Sequence, residues 1–230
     1  MRNNNTVKKK TTSGDDYEYT EDRITGHARK LFLKKGYHGT TIDDITRSAK
    51  LTKGSFYWYF RSKEDMLKRI LLEFEQLFLD KLIRTLNAVE GGTLDKIAKF
   101  IRFAAAFAYY NPELCVAFTT LSGELVGTRH KIETEIRRIY KKYQDFLAGL
   151  MAQGIKEGVI KKDLNPDLAA SVIIAFHNGI LFQWFMNKGQ IDERAYVDTF
   201  NKVLLKGVML ESVSSGGSFP STIITKTKGR

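Results

Sequence analysis

An all-α fold of roughly nine helices, three N-terminal and six beyond, is what the sequence predicts, and three observations carry it. Apolar residues recur at helical spacing over long segments, only three prolines interrupt 230 residues, and no alternating β-branched run bounded by turn residues stands out. Hydrophobic residues make up 43% and aromatics 12%, enough for a real core and too much for a disordered chain.

Residues 1–20 are polar, mixed in charge and without aliphatic periodicity, so a flexible basic arm is expected there. The first helix is predicted from Glu21 to Lys35, with Ile24, Ala28, Leu31 and Phe32 on one face and Gly36 at the left-handed C-terminal cap. The second starts at Thr41, where Asp44 completes an approximate capping box and Asp43 and Asp44 favour the positive end of the helix dipole. Thr52 is the N-cap of a third, and Leu51 and Phe56 occupy the two positions of a hydrophobic staple. Two short capped helices so close together make a helix-turn-helix.

Ser62 with Asp65 opens a long fourth helix whose apolar stripe is Met66, Leu67, Ile70, Leu71, Phe74, Leu77, Phe78 and Leu82. Gly91-Gly92 separates it from a helix over about Leu94 to Tyr110, which Asn111-Pro112 breaks; Thr128 to about Glu157 reads as a long amphipathic helix. Asn165-Pro166 caps a helix to about Asn187, and Asp192 caps a last one to about Leu210. Residues 212–230, rich in Ser, Gly and Thr, read as a flexible tail. The domain reading is an arm (1–20), a helix-turn-helix domain (21–66), a larger helical domain (67–211) and the tail.

The formal charge of +11 is uneven: +7 falls in the first 70 residues and +4 in the remaining 160. A polyanion partner follows, either nucleic acid or an anionic membrane surface. Single Cys115 excludes an internal disulfide, and the start of the chain has no apolar stretch of a secretory signal. The most apolar run, Val172 to Met186, is broken by His177, Asn178 and Gln183 and is shorter than the roughly 20 residues of a membrane helix. A soluble cytoplasmic protein is expected. No nucleophile stands with a base, and no paired carboxylates or phosphate loop occur, so an enzyme is not expected. Histidines 27, 38, 130 and 177 lack ligand spacing, so neither metal nor cofactor is expected.

The stretch LTKGSFYWYF, residues 51 to 60, concentrates the chemistry. In a helix from Thr52, Phe56 and Phe60 share one face and can pack on Ile24, Leu31 and Ile45. Lys53, Ser55, Tyr57, Trp58 and Tyr59 fall on other faces, and a two-turn helix cannot bury them all. The second helix of a helix-turn-helix enters the major groove, where lysine reaches guanine and hydroxyls reach base edges or phosphates. Gly54 would let the backbone approach the sugar-phosphate chain.

The segment RITGHARKLFLKKGYHGTTIDDITRSAKLTKGSFYWYFRSKEDML, Arg23 to Leu67, resembles the DNA-binding domain of TetR-family transcriptional regulators. The resemblance implies phosphate contacts from Thr41, Tyr57, Tyr59 and Lys63, and base or groove contacts from Lys53, Ser55 and Trp58, with Arg47 and Thr52 added. The chain departs from the family at Lys50, where glycine is frequent, which would cost about 1 kcal/mol at positive φ. It departs again at Tyr59, where histidine is common.

In the larger domain, Phe100, Phe103 and Phe107 lie at i, i+3 and i+7 and, with Phe74, Phe78 and Phe118, could line a cavity between helices. His177 and Asn178 could orient a ligand there or be satisfied by buried hydrogen bonds. The last two helices carry apolar residues on more than one face, a surplus that implies a partner. By resemblance, Ile173, Ile180, Trp184, Phe200 and Leu204 belong to a four-helix homodimer interface. The resemblance also implies that small apolar or amphipathic effectors bind the larger domain and release double-stranded DNA, which would follow from a tilt of the fourth helix. The expected function is a repressor on a pseudo-palindromic operator; the competing reading is a non-specific architectural DNA-binding dimer without an effector.

Overall fold

The computed structural model describes residues 14–187 and, beyond them, Ala195, Asp198, Thr199, Lys202 and Val203, which are helical. The start of the expected arm, most of the expected last helix with Phe200 and Leu204, and the expected tail lie outside the described residues. Among the described residues eight continuous helical rods occur and no strand. The chain divides into two compact units, Met1–Arg69 and Ile70–Arg230.

The first unit contains α1 (Gly14–Lys35), α2 (Ile42–Ser48), α3 (Lys53–Tyr59) and the opening of α4 (Lys63–Phe74). Helix α1 starts seven residues before the expected Glu21, so residues 14–20 are helix rather than arm. It ends at Gly36 with φ 72°, the left-handed cap read from the sequence. In the following turn Gly39 is forced, because a Cβ there would collide with the Lys35 carbonyl.

The two caps of the helix-turn-helix form as their residues dictate. Thr41 Oγ1 accepts the Asp44 amide at 3.1 Å and the Asp44 carboxylate accepts the Thr41 amide at 3.1 Å, a complete capping box. That backbone bond, helped by the Thr41 hydroxyl, holds the Asp44 carboxyl below the usual carboxylate range. Thr52 Oγ1 accepts the Ser55 amide at 3.0 Å. Between the helices Lys50 has φ 53°, so the lysine that replaces glycine carries the left-handed strain. The core is Ile24, Ala28, Phe32, Tyr37, Ile45, Ala49, Phe56, Phe60, Met66 and Leu67, all at most 5% exposed. Leu31, expected with them, is only half-buried, and Tyr37 takes a core place instead.

The second unit contains the end of α4, a π-helical turn (Glu75–Asp80) and α5 (Lys81–Asn87), all in one rod, then α6 (Thr93–Tyr110), α7 (Pro112–Leu125), α8 (Glu133–Lys156) and α9 (Pro166–Met186). The π turn was not expected, and it changes the inward face. Its wider ring turns Glu75, Phe78 and Leu79 inward and leaves Leu77, expected in the stripe, 44% exposed. Helix α8 begins five residues later than the expected Thr128, because Gly127 (φ 86°) and Arg129 (φ 59°) are left-handed and Thr128 Oγ1 donates to the Leu125 carbonyl instead. Helices α8 and α9 form the most extensive pair, and α6 and α7 pack on α8 as well. The Glu157 carboxylate accepts the Thr93 amide at 2.7 Å, closing the start of α6 with the end of α8.

Candidate nucleic-acid interface and effector site

Helix α3 presents the face expected of it. Phe56 is fully buried and packs at 5.5 Å against Phe60, whereas Tyr57 and Trp58 are 55% and 76% exposed. Thr41, Arg47, Thr52 and Lys53 are exposed too, and Ser55 and Tyr59 are half-buried. Gly54 is exposed, and a Cβ there would meet only Thr52 Oγ1 at 3.6 Å, an ordinary contact. The fold itself therefore does not demand glycine at this position.

Two cations are placed differently from the expectation. Lys53 Nζ bonds Asp43 of α2 at 2.7 Å, and this pair raises the lysine's proton affinity. Lys63, expected on a phosphate, donates to the Tyr37 and Thr40 carbonyls at 2.7 and 2.8 Å and lies 4.2 Å from the Tyr37 ring centroid. Two of its three N–H bonds thus clamp the turn between α1 and α2, and a phosphate can take at most the third. His27 and Ser48 (2.8 Å) and Arg23 to the Ala49 carbonyl (2.7 Å) tie α1 to α2 at the other end.

In the second unit the aromatic residues singled out from sequence do converge, from four helices. Phe74 stacks on Phe118 at 3.9 Å, and Phe78 contacts Phe74, Phe103, Phe107 and the His177 ring, which in turn meets Phe100. They pack rather than line a chamber. The crevice left among Phe74, Phe118, Tyr140, Tyr143, His177 and Leu181 has about 10 Å³, the space of one water molecule. His177 Nδ1 meets the Tyr143 hydroxyl at 3.4 Å and Asn178 donates to the Tyr140 hydroxyl at 3.2 Å, so each of the two polar residues has a partner on α8. Burial pushes the His177 imidazole down to about 4, so it is neutral at physiological pH.

Sequence reasoning missed what adjoins this crevice. An open groove of about 830 Å³ runs over α7, α8 and α9, and Tyr140 and Asn178 line both spaces. Three of its lining residues are basic, Arg137, Arg138 and Lys141 from α8. Arg137 and Lys141 pair with Glu133 and Asp145 on their own helix. Arg138 instead reaches across to Glu75 in the π turn, with Nη1 at 2.9 Å and Nη2 also in contact, and Lys142 Nζ reaches the same carboxylate at 2.7 Å and Asp80 at 2.6 Å. The Arg138 hydrogen bonds, helped by Lys142, outweigh burial and hold the Glu75 carboxyl at about 2. The i, i+3 pair Tyr140 and Tyr143 was the available sequence signal for α8.

Helix α9 corrects two expectations. At 21 residues it is long and apolar enough to cross a membrane by length and composition, yet Ala169, Ala170, Ile173, Ile174 and Leu181 are buried within the chain. Ile173, assigned to a partner-facing surface, is thus a core residue, and Ile180 and Trp184 are half-buried. The exposed apolar stripe is Leu168, Val172, Phe176, Phe182 and Met186.

Comparison with known proteins adds the following. Residues 24–70 match the family model described as bacterial regulatory proteins, tetR family, and residues 90–208 match the tetracyclin repressor-like C-terminal domain. The HTH-type transcriptional repressor DhaR of Mycobacterium sp. (strain GP1) is 30% identical over 182 residues, 78% of this chain and 87% of that protein. The fatty acid metabolism regulator protein of Bacillus subtilis (strain 168) is 25% identical over 81% of this chain and 94% of its own. The crystal structure of the MbdR regulator from Azoarcus sp. CIB superposes with a TM-score of 0.75 at 30% identity, covering 83% of this chain and all of that one. The same fold occurs in FadR from Bacillus subtilis in complex with stearoyl-CoA (TM-score 0.67, 24% identity, 81% and 98% coverage). It occurs again in AibR in complex with isovaleryl coenzyme A and operator DNA (0.70, 20%, 81% and 98%).

Proposed function

This chain belongs to the tetR family of bacterial regulatory proteins and is a ligand-responsive transcriptional repressor, and we propose that its effector is an acyl thioester of coenzyme A. The observation that carries this is the junction of a basic groove with an aromatic crevice through the shared residues Tyr140 and Asn178. A CoA thioester is built the same way, with phosphates at one end and an apolar acyl group at the other. Its charged half would lie along Arg137, Arg138 and Lys141, and its acyl group would enter by turning the Tyr140 and Phe118 rings aside. The groove's volume falls in the roughly 300–1,000 Å³ range of small-molecule sites. Proteins of the same fold that hold stearoyl-CoA and isovaleryl coenzyme A support the reading.

On DNA, α3 would lie in the major groove with Lys53, Ser55 and Trp58 toward base edges and Tyr57, Tyr59 and Thr41 toward phosphates. Gly54 supports this, since its missing side chain has no internal reason. Lys53 would exchange Asp43 for the DNA. A homodimer would form through the exposed α9 stripe from Leu168 to Met186, placing two recognition helices about 34 Å apart on a pseudo-palindromic operator. The protein would act in the cytoplasm, where both DNA and CoA thioesters are found.

The test is fluorescence anisotropy on DNA from upstream of the protein's own gene, against a random duplex. Stearoyl-CoA and isovaleryl-CoA are titrated beside free stearate and free CoA. Release by a thioester and not by either half is the expected result; release by free stearate alone, or by none of the four, overturns the effector assignment.

A further inference from the structure

One guanidinium serves two places in the second unit. Arg138 lines the groove and also holds the carboxylate of Glu75, which is 4% exposed in the π turn directly after α4. The other two groove cations differ in this respect, because their carboxylates, Glu133 and Asp145, lie on α8 itself. An anion that drew Arg137 or Lys141 toward the groove would therefore disturb only pairs within one helix. Drawing Arg138 away removes the bidentate partner of a buried carboxylate on a different element.

We propose that Arg138 is the transmitter of the effector signal: a phosphate of the bound coenzyme moiety takes its guanidinium from Glu75, and the π turn of the α4–α5 rod rearranges in response. The proposal rests on the CoA thioester assignment above. A phosphate is the stronger competitor, since it carries more charge than a carboxylate and offers the planar fork an equally good bidentate geometry. Glu75 keeps Lys142, but that ammonium is shared with Asp80, and a buried carboxylate with one point-charge partner is poorly compensated. The segment that bears this change is a π turn, a rare form inside α-helices that is frequent at functional sites, with α-helix on either side. The rod continues without a break into α4, whose first residues, Lys63 to Arg69, belong to the unit that carries α3. Glu135, which also bonds Arg138 at 2.6 Å, sits on α8, so its loss would not reach α4.

The experiment measures two quantities separately for the full-length protein. Stearoyl-CoA or isovaleryl-CoA affinity, whichever releases the parent, is read by isothermal titration without DNA. The coupling factor is read as the ratio of operator Kd with saturating thioester to that without it. For the parent a coupling factor above tenfold is expected, within the usual range for linked sites. Glu75→Gln should bind thioester at least threefold more tightly, because Arg138 no longer has to leave a charged partner, and its coupling factor should fall below threefold. Glu135→Gln should keep a coupling factor within twofold of the parent. Arg138→Gln, the second variant should Glu75→Gln not fold, should bind thioester at least fivefold more weakly and show a coupling factor near one. If Glu75→Gln, or Arg138→Gln in its place, keeps the parent's coupling factor while the parent responds to thioester, the exchange is wrong and the effector assignment stands. If the parent ignores both thioesters, the effector assignment falls and the exchange falls with it.

Discussion

Replacing Glu75 by glutamine should flatten the acid limb of this protein's stability profile. The carboxyl ionises at about 2 in the folded chain against an ordinary 4.5, chiefly because Arg138 donates to it. A group with a depressed folded value contributes stability that is complete above 4.5 and disappears as pH falls toward 2. The gap corresponds to about 3.4 kcal/mol at 1.36 kcal/mol per tenfold change in proton affinity. The Arg138 side chain is 47% exposed, so solvent screening trims this to about 2–3 kcal/mol. Roughly 60% of it should vanish between pH 6 and pH 3, which is about 1–2 kcal/mol by proton linkage. At about 2–4 °C per kcal/mol for a chain of this size, the parent should lose about 2–8 °C more in melting temperature over that interval than Glu75→Gln. Circular dichroism melts of both proteins at pH 6, 4.5, 3.5 and 3 make the comparison. The other depressed carboxyls among the described residues, Asp44, Glu133 and Glu157, titrate in both and cancel. Melting curves that shift in parallel across the whole interval would refute the reasoning.

Three further outcomes test the first unit. Phe56→Ala removes a fully buried ring and should cost about 3–5 kcal/mol, enough to unfold a small helical unit; loss of helical ellipticity and of operator binding together would show it. Tyr57→Phe removes only an exposed hydroxyl, so melting should be unchanged while operator affinity falls about tenfold, the value of a hydrogen bond to a charged phosphate. Unchanged affinity in an anisotropy titration would end the phosphate assignment. Gly54→Ala should raise the melting temperature, since alanine is favoured in a helix by up to about 1 kcal/mol and meets no clash, yet weaken operator binding at least tenfold. A variant that is both more stable and equally tight on DNA would show that the backbone does not approach the sugar-phosphate chain there.

The helix-turn-helix was legible almost residue by residue. Thr41 with Asp44, Thr52 with Ser55 and Gly36 at its positive φ act across four residues or fewer, so their partners are present in the local sequence. The division of LTKGSFYWYF into buried Phe56 and Phe60 and exposed Tyr57 and Trp58 follows from helical spacing alone. The candidate aromatic site was legible in membership but not in form. Phe74, Phe78, Phe100, Phe103, Phe107 and Phe118 do meet, yet whether rings line a space or fill it depends on Tyr140 and Tyr143 arriving from α8. The π turn stayed hidden because LEFEQLFLDKL satisfies an ordinary α-helical stripe equally well. Leu77 facing outward and Glu75 and Leu79 facing inward betray it.

The sequence by itself determined the all-α class, the capped helix α3 and the family, since each depends on neighbours within a few residues or on a contiguous motif. Tertiary structure alone decided where the charges went. Lys63 was committed to carbonyls 23 and 26 residues away, and Arg138 to a carboxylate 63 residues away. Ile173 went to the core and Val172 to the surface in the same way, by the rotation at which α9 settled on α8. A long cationic side chain has many carboxylates and carbonyls of similar local merit, and only the packing of helices distant in sequence selects among them.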